Sequence, residues 1–252
     1  MLRQINIQDI VAIAKEAGYS IMQVYEKDFK VEYKEDNSPL TLADRKSNEI
    51  IESGLKRLSV DFPILSEESK EIPYNDRKHW EYFWLVDPLD GTKEFVNKND
   101  EFTVNIALIH KDTPILGVVY APALDVCYWA KQGKGAFKDG QKLPIAASSQ
   151  YSSYKIVASR SHMSDETQTF IDMIDTDKNK ELISIGSSLK ICIVAEGGAD
   201  IYPRLSPTME WDTGAAHAIV RESNCQLCVF NKETPLLYNT LTMVNPFFIV
   251  ST

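Results

Sequence analysis

The stretch Trp84-Leu85-Val86-Asp87-Pro88-Leu89-Asp90-Gly91-Thr92 places two carboxylates, a glycine and a hydroxyl within six residues. Such a group can hold divalent metal and phosphate side by side. The apolar run 83–86 reads as a buried strand. Pro88 fixes its own φ and disfavours the α region for Asp87, which predicts that the chain turns there and brings Asp87 and Asp90 together. Gly91 has no Cβ, so its backbone can approach an anion closely. Thr92 then opens Lys93-Glu94-Phe95 with N–H groups directed at that anion. The same residues also spell ordinary turn chemistry, in which Asp and Gly are favoured for local geometry alone.

Further acids stand in Leu65-Ser66-Glu67-Glu68-Ser69 and in Glu210-Trp211-Asp212-Thr213-Gly214. Both put a carboxylate where an apolar run ends or a helix begins. Glu67, Asp87, Asp90 and Asp212, drawn from three separate segments, form the kind of oxygen set that a hard cation such as Mg²⁺ takes at about 2.0 to 2.1 Å. Glu68 is left out as an ordinary solvated acid.

The elements that must position these groups follow from apolar spacing. Residues 7–26 carry Ile7, Ile10, Val11, Ala14, Ala17, Ile21 and Val24 at helical spacing, and 42–58 form a second helix with Ile50, Ile51, Leu55 and Leu58 as its stripe. Between them, 29–41 read as a hairpin turning at Asp36-Asn37-Ser38-Pro39. Strand composition recurs at 103–109, 115–120 and 126–130, which predicts an antiparallel sheet carrying helices. From Lys155 the pattern alternates: strands 156–158, 182–185 and 200–202, helices 166–174, 189–196 and 213–222. That alternation signals an α/β layer. The serine-rich stretch 146–153 divides a metal-binding half, 1–148, from a substrate-specificity half, 149–252, within one catalytic unit.

With 252 residues and 44% hydrophobic composition the chain can bury a sizeable core. Its formal net charge of −9 excludes a nucleic-acid polymer or an anionic membrane surface as the main partner, since both need a basic face. A small anion remains compatible, because four carboxylates contribute about −4 while three Mg²⁺ contribute about +6 to the site. The first residues alternate polar and apolar, unlike a signal peptide, and nothing reaches the length of a membrane span. A cytoplasmic location is expected, with peripheral contact at the inner membrane face left open, as monomer or homodimer. Cys127, Cys192, Cys225 and Cys228 fit a reducing compartment as small core residues. The pair Cys225-x-x-Cys228 lacks the second pair of a zinc ribbon and the upstream unit of a thioredoxin, and the four histidines form no ligand-spaced pair.

Glu67-Glu68, Asp87-Pro88-Leu89-Asp90-Gly91-Thr92 and Trp211-Asp212 resemble the three signatures of the inositol monophosphatase superfamily of Mg²⁺-dependent, lithium-sensitive phosphatases. Four segments narrow the resemblance to its bisphosphate nucleotidases. They are Asp36-Asn37-Ser38-Pro39-Leu40-Thr41-Leu42-Ala43-Asp44, Gly91-Thr92-Lys93-Glu94-Phe95, Gly186-Ser187-Ser188-Leu189-Lys190 and Glu210-Trp211-Asp212-Thr213-Gly214-Ala215-Ala216-His217-Ala218. The resemblance spans nearly the whole chain, from Ile10 to Pro246, and implies a layered αβαβα sandwich of mixed α/β (α+β) class, the fold of inositol monophosphatase and fructose-1,6-bisphosphatase.

The resemblance also implies roles. Glu67, Asp87 and the Leu89 carbonyl would bind one Mg²⁺, and Asp87, Asp90 and Asp212 a second, with a weaker third ion near Glu67. Thr92 and Asp44 would relay a proton from the attacking water, with Asp44 as ultimate base. Gly91, Thr92, Ser187, Lys190, Arg204 and Asp212 would contact substrate, Lys190 and Arg204 taking the nucleotide's second phosphate, and His162 would lie near the base or ribose. Each has a plainer reading: Asp44 and Asp212 as helix caps, worth about 0.5 to 2 kcal/mol, and Lys190 and Arg204 as surface cations. The implied activity is removal of the 3′-phosphate from adenosine 3′,5′-bisphosphate, giving AMP and phosphate, with cleavage of the corresponding phosphosulfate left open. An inositol or sugar monophosphatase is the alternative within the same chemistry, and a catalytically silent Mg²⁺-dependent nucleotide sensor the alternative outside it.

Overall fold

The structure is a computed structural model that describes residues 2–26, 31–33, 39–145, 152–159 and 164–252. The turn expected at Asp36-Asn37-Ser38, most of the serine-rich boundary stretch and His162 lie outside the described residues.

After a short 3₁₀ turn, Leu2–Gln4, helix α1 (Ile7–Tyr25) begins where the Asn6 side chain accepts from the Gln8 N–H at 3.2 Å. Strands β1 (Val31–Tyr33) and β2 (Pro39–Thr41) pair antiparallel and lead into α2 (Leu42–Lys56). A seven-stranded sheet follows: β3 (Ile64–Ser66), β4 (Tyr82–Asp90), β5 (Thr103–His110), β6 (Thr113–Ala121), β7 (Val126–Lys131), β8 (Gly135–Lys138) and β9 (Gln141–Lys142), paired in that order. Only β3 runs parallel to its neighbour; the other neighbours pair antiparallel. Two short helices, α3 (Tyr74–Arg77) and α4 (Thr92–Val96), flank β4.

The second half contributes β10 (Ser153–Ser159), α5 (Asp165–Met173), β11 (Asn179–Ile185), α6 (Leu189–Ala195), β12 (Ile201–Arg204), α7 (Glu210–Arg221), β13 (Gln226–Val229) and β14 (Phe248–Ser251). Its strands form a mixed five-stranded sheet ordered β11-β10-β12-β14-β13.

Strand parity explains the layers. Trp84, Val86, Ile106 and Leu108 face one way and pack with Ile10, Ile21, Ile51 and Leu55 of α1 and α2. Phe83, Leu85, Ala107 and Ile109 face the other way and pack with α6, α7 and the inner face of the second sheet through Val157, Tyr202, Phe248 and Val250. Ile171 of α5 closes the outer face over Ile156 and Ile201. The layers are therefore helix, sheet, helix, sheet, helix, as the resemblance implied. Because both faces of the large sheet are covered, β4 and β5 are buried almost end to end and show continuous apolar runs rather than alternation. A Cβ at Gly117 of β6 would lie 2.1 Å from the Ala215 carbonyl oxygen, so α7 rests directly on the sheet backbone there. No helix among the described residues is long and apolar enough to cross a membrane.

Two sequence expectations are corrected. The chain does not leave the strand at Asp87: β4 continues through Pro88 to Asp90, and the ladder to β5 shifts register between Asp87 and Asp90. A bulge tolerates the proline's missing donor while re-aiming the side chains, so the two acids come together without a turn. Helix α7 starts at Glu210 rather than at residue 213, which puts Asp212 inside its first turn.

Candidate active site

The acids come from four places: β4 carries both Asp87 and Asp90, Asp44 is on α2, Glu67 follows β3 and Asp212 is on α7. Asp87 continues the stripe of Phe83 and Leu85 on the α7 side of the sheet, opposite Asn105 of β5. The bulge beyond it is held by Ser47 of α2, whose buried hydroxyl donates to the Pro88 carbonyl at 2.7 Å. Three residues before Ser47, Asp44 is 1% exposed in the first turn of the same helix. Glu67 follows the end of β3, where its N–H donates to the Val86 carbonyl at 3.2 Å. Its neighbour Ser66 is tied to α2 by donating to Asn48 Oδ1 at 2.6 Å. Asp212 reaches back to accept from the Met209 N–H at 2.9 Å. The capping reading of Asp212 is thus correct and coexists with its place in the cleft.

A cleft of about 240 Å³ opens between the end of β4 with α4 and the segments that carry α6, β12 and α7. Gly91, Thr92, Ser187, Lys190, Arg204 and Asp212, all six of the substrate contacts implied by resemblance, line it together with Asp90. Gly91 bends the chain with φ +90°, a conformation open to glycine, immediately before α4. Thr92 Oγ1 donates to the Leu89 carbonyl at 3.4 Å, a long bond. Ser187 also has positive φ, +48°, at the edge of the cleft. Ser188 lines it as well, and sequence reasoning passed over Glu94, Tyr202, Thr208, Thr213 and Phe248, which do so too. Only the long-range fold brings Tyr202 and Phe248 beside β4.

The electrostatics of the floor are one-sided. Burial pushes the Asp87 carboxyl well above the usual carboxylate range, and the charges of Glu67, Asp90, Asp212 and Asp44 push it the same way. Its described donor is the Leu89 N–H, at 3.0 Å. Burial also raises Asp212 well above that range, with Asp90 adding to the effect and the Met209 N–H opposing it. Asp90 is raised by burial too, against the pull of Lys190 and of the Ser188 hydroxyl, which donates to its Oδ2 at 2.8 Å. Across the cleft, burial lowers the pKa of Lys190 while Asp90 supports its charge and Arg204 opposes it. Arg204 donates from Nη2 to the Pro207 carbonyl at 3.1 Å, and its buried Nε has no hydrogen-bond partner among the described residues.

Desolvated carboxylates that destabilise one another are the donor set a hard dication satisfies, so the residues fit Mg²⁺. No three His, Cys, Asp or Glu side chains among the described residues are already drawn together at ligand spacing. An ion held here would complete its shell with further oxygens, such as those of phosphate and water. Cys225 and Cys228 are free thiols whose pKa burial raises, the opposite of a redox or metal-binding pair.

Comparison with known proteins identifies the family. The model of the inositol monophosphatase family matches residues 2–247. The chain belongs to the inositol monophosphatase family. Among its relatives, the 3′(2′),5′-bisphosphate nucleotidase CysQ of Salmonella typhimurium is 43% identical over 249 residues, covering 97% of this chain and 99% of the relative. The protein of the same name from Escherichia coli strain K12 is 44% identical over 250 residues, with 97% and 99% coverage. The crystal structure of CysQ from Bacteroides thetaiotaomicron, described as a bacterial member of this family, superposes with a TM-score of 0.89 at 44% identity, covering 99% of this chain and 97% of that one. The family is metal-dependent, which accords with the acidic floor.

Proposed function

We propose that the protein is a Mg²⁺-dependent 3′(2′),5′-bisphosphate nucleotidase that removes the 3′-phosphate of adenosine 3′,5′-bisphosphate, giving AMP and phosphate, in sulfur assimilation. The observation that carries this reading is the pairing, across one cleft, of a buried acid cluster with two cations, Lys190 and Arg204. The full-length likeness to proteins named as bisphosphate nucleotidases supports it.

In this reading Glu67, Asp87, the Leu89 carbonyl, Asp90 and Asp212 hold two or three Mg²⁺ ions. The bound metal supplies Lewis-acid charge at the scissile phosphate and a water of lowered pKa. The Gly91 and Thr92 backbone orients that phosphate. Thr92 Oγ1 accepts the proton of the attacking water and passes its own to Asp44, the buried base. Lys190, Arg204 and Ser187 grip the phosphate that is not cleaved. An anion beside Lys190 and the Arg204 Nε, which has no hydrogen-bond partner among the described residues, gains charge-assisted hydrogen bonds, each worth about 1.5 to 3 kcal/mol. The reading places the enzyme in the cytoplasm, where free thiols persist.

Phosphate release from adenosine 3′,5′-bisphosphate, inositol 1-phosphate and fructose 1,6-bisphosphate tests it. The bisphosphate nucleotide is expected to give the highest kcat/KM. Lys190→Ala and Arg204→Ala are each expected to lower that value about ten- to a hundredfold, and to spare a 3′-monophosphate that offers no second anion. Preference for inositol 1-phosphate, or equal losses on mono- and bisphosphate, would overturn the assignment.

A further inference from the structure

Ser188 occupies the N-cap of α6, where a serine hydroxyl ordinarily accepts from the first free N–H groups of its helix, yet its side chain makes no capping bond. The hydroxyl is directed elsewhere. It lies 2.8 Å from Asp90 Oδ2 and 2.5 Å from the Asp212 main-chain carbonyl, touching both segments that carry the second ion's carboxylates. Asn105 Nδ2 donates to the same Oγ at 2.9 Å. Asn105 is 1% exposed, stands opposite Asp87 in the β4–β5 ladder, and its Oδ1 has no hydrogen-bond partner among the described residues. Burying an amide half-satisfied costs free energy, so the side-chain bond it makes among the described residues, to Ser188, is what its position secures.

A hydroxyl has one proton and can accept through its lone pairs. With Asn105 donating to it, Ser188 has its own proton to give, and the carboxylate is the stronger acceptor. Building on the metal reading above, we propose that Ser188, oriented by Asn105, is a positioning residue for the metal centre. It holds Oδ2 of Asp90, which leaves Oδ1 as the oxygen presented to the cation. Groups that orient a ligating carboxylate in this way typically change metal affinity about 10- to 100-fold when removed. The Ser188 hydroxyl is engaged by Asp90 and the Asp212 carbonyl, and Asn105 is not among the residues lining the cleft, so the effect should be on metal affinity and not on substrate affinity.

Calorimetric Mg²⁺ titration and the Mg²⁺ dependence of turnover, measured on wild type, Ser188→Ala, Asn105→Ala and Asp90→Asn, test the proposal. Ser188→Ala is expected to raise the half-saturating Mg²⁺ concentration about tenfold or more. KM for the nucleotide at saturating Mg²⁺ should stay near wild type, with most of kcat recovered there. Asn105→Ala should shift Mg²⁺ dependence in the same direction by less, because Ser188 keeps its proton for Asp90. If Ser188→Ala fails to fold, Asn105→Ala carries the test. Unchanged Mg²⁺ affinity in the folded variant, or a defect confined to KM, overturns the proposal. If Asp90→Asn also leaves Mg²⁺ binding unchanged, the metal reading itself fails; if Asp90→Asn loses binding and Ser188→Ala does not, only the positioning role fails.

Discussion

Asp87 and Glu210 are both carboxylates sealed from solvent, at 1% and 0% exposure, yet the fold treats them in opposite ways. Glu210 is surrounded by donors. Its Oε2 accepts from the Asn239 N–H at 2.6 Å, and its Oε1 accepts from the Thr240 N–H at 2.8 Å and the Thr240 hydroxyl at 2.6 Å. Arg77 stands behind, donating to Asn239 Oδ1 at 2.7 Å. Burial still raises the Glu210 pKa, but each of these partners pulls it back. Around Asp87 the sign is reversed, since Glu67, Asp90, Asp212 and Asp44 add to the effect of burial. A structural acid carries its compensation within the chain; a functional one leaves part of it to be supplied from outside.

The comparison can be broken by neutralising each acid. Asp87→Asn keeps an acceptor for the Leu89 N–H and removes the repelled charge, so turnover should fall to background while the chelator-treated protein melts higher than wild type. Added Mg²⁺ should raise the melting temperature of wild type and not of the variant. A variant that melts lower without metal would show that Asp87 is a structural acid like Glu210. Next in size, Thr92→Val removes a hydroxyl and no charge, and is expected to lower kcat about 10²- to 10⁴-fold while calorimetric Mg²⁺ binding stays intact. A metal-binding defect there would move Thr92 from the proton relay into the ligand shell.

Glu210→Gln is the mirror experiment. The new amide must point a donor at one of the backbone N–H groups, costing about 1 to 3 kcal/mol, or about 2 to 4 °C of melting temperature per kcal/mol for a chain of this size. Turnover of the folded fraction should stay near wild type. Collapse of activity without loss of stability would erase the distinction drawn here.

An effect absent at neutral pH concerns His217, buried in α7 with Nδ1 3.0 Å from the Tyr238 hydroxyl. Burial, helped by Arg221, lowers its pKa from 6.5 to about 3. The unfolded chain therefore binds the extra proton between those values, so this contribution is full above pH 6.5 and is lost as pH falls towards 3. Melting curves of wild type should decline more steeply over that interval than those of His217→Gln. Parallel curves would show that the ring is not held neutral.

The sequence made the two large helices, the α/β alternation and the acids legible, because each rests on local spacing or on a contiguous motif. Pro88 was misleading: a proline in an apolar run looks like a strand end, and only the pairing partner β5 reveals a bulge. Strands β8, β9, β13 and β14 are two to four residues long and too short to show periodicity. The pairing of Ser188 with Asn105 was invisible for another reason. They meet across 83 positions of sequence, and a serine beginning a helix looks like any other cap.

Gly117 has no functional group and lies on a strand that contributes no acid, yet the Ala215 carbonyl oxygen stands 2.1 Å from where its Cβ would be. Any other residue there must lift α7 off the sheet, and Asp212 rides on that helix two residues after its start. In genetic terms the constraint extends to this codon: a single base change that alters no charge is expected to shift the helix that carries Asp212.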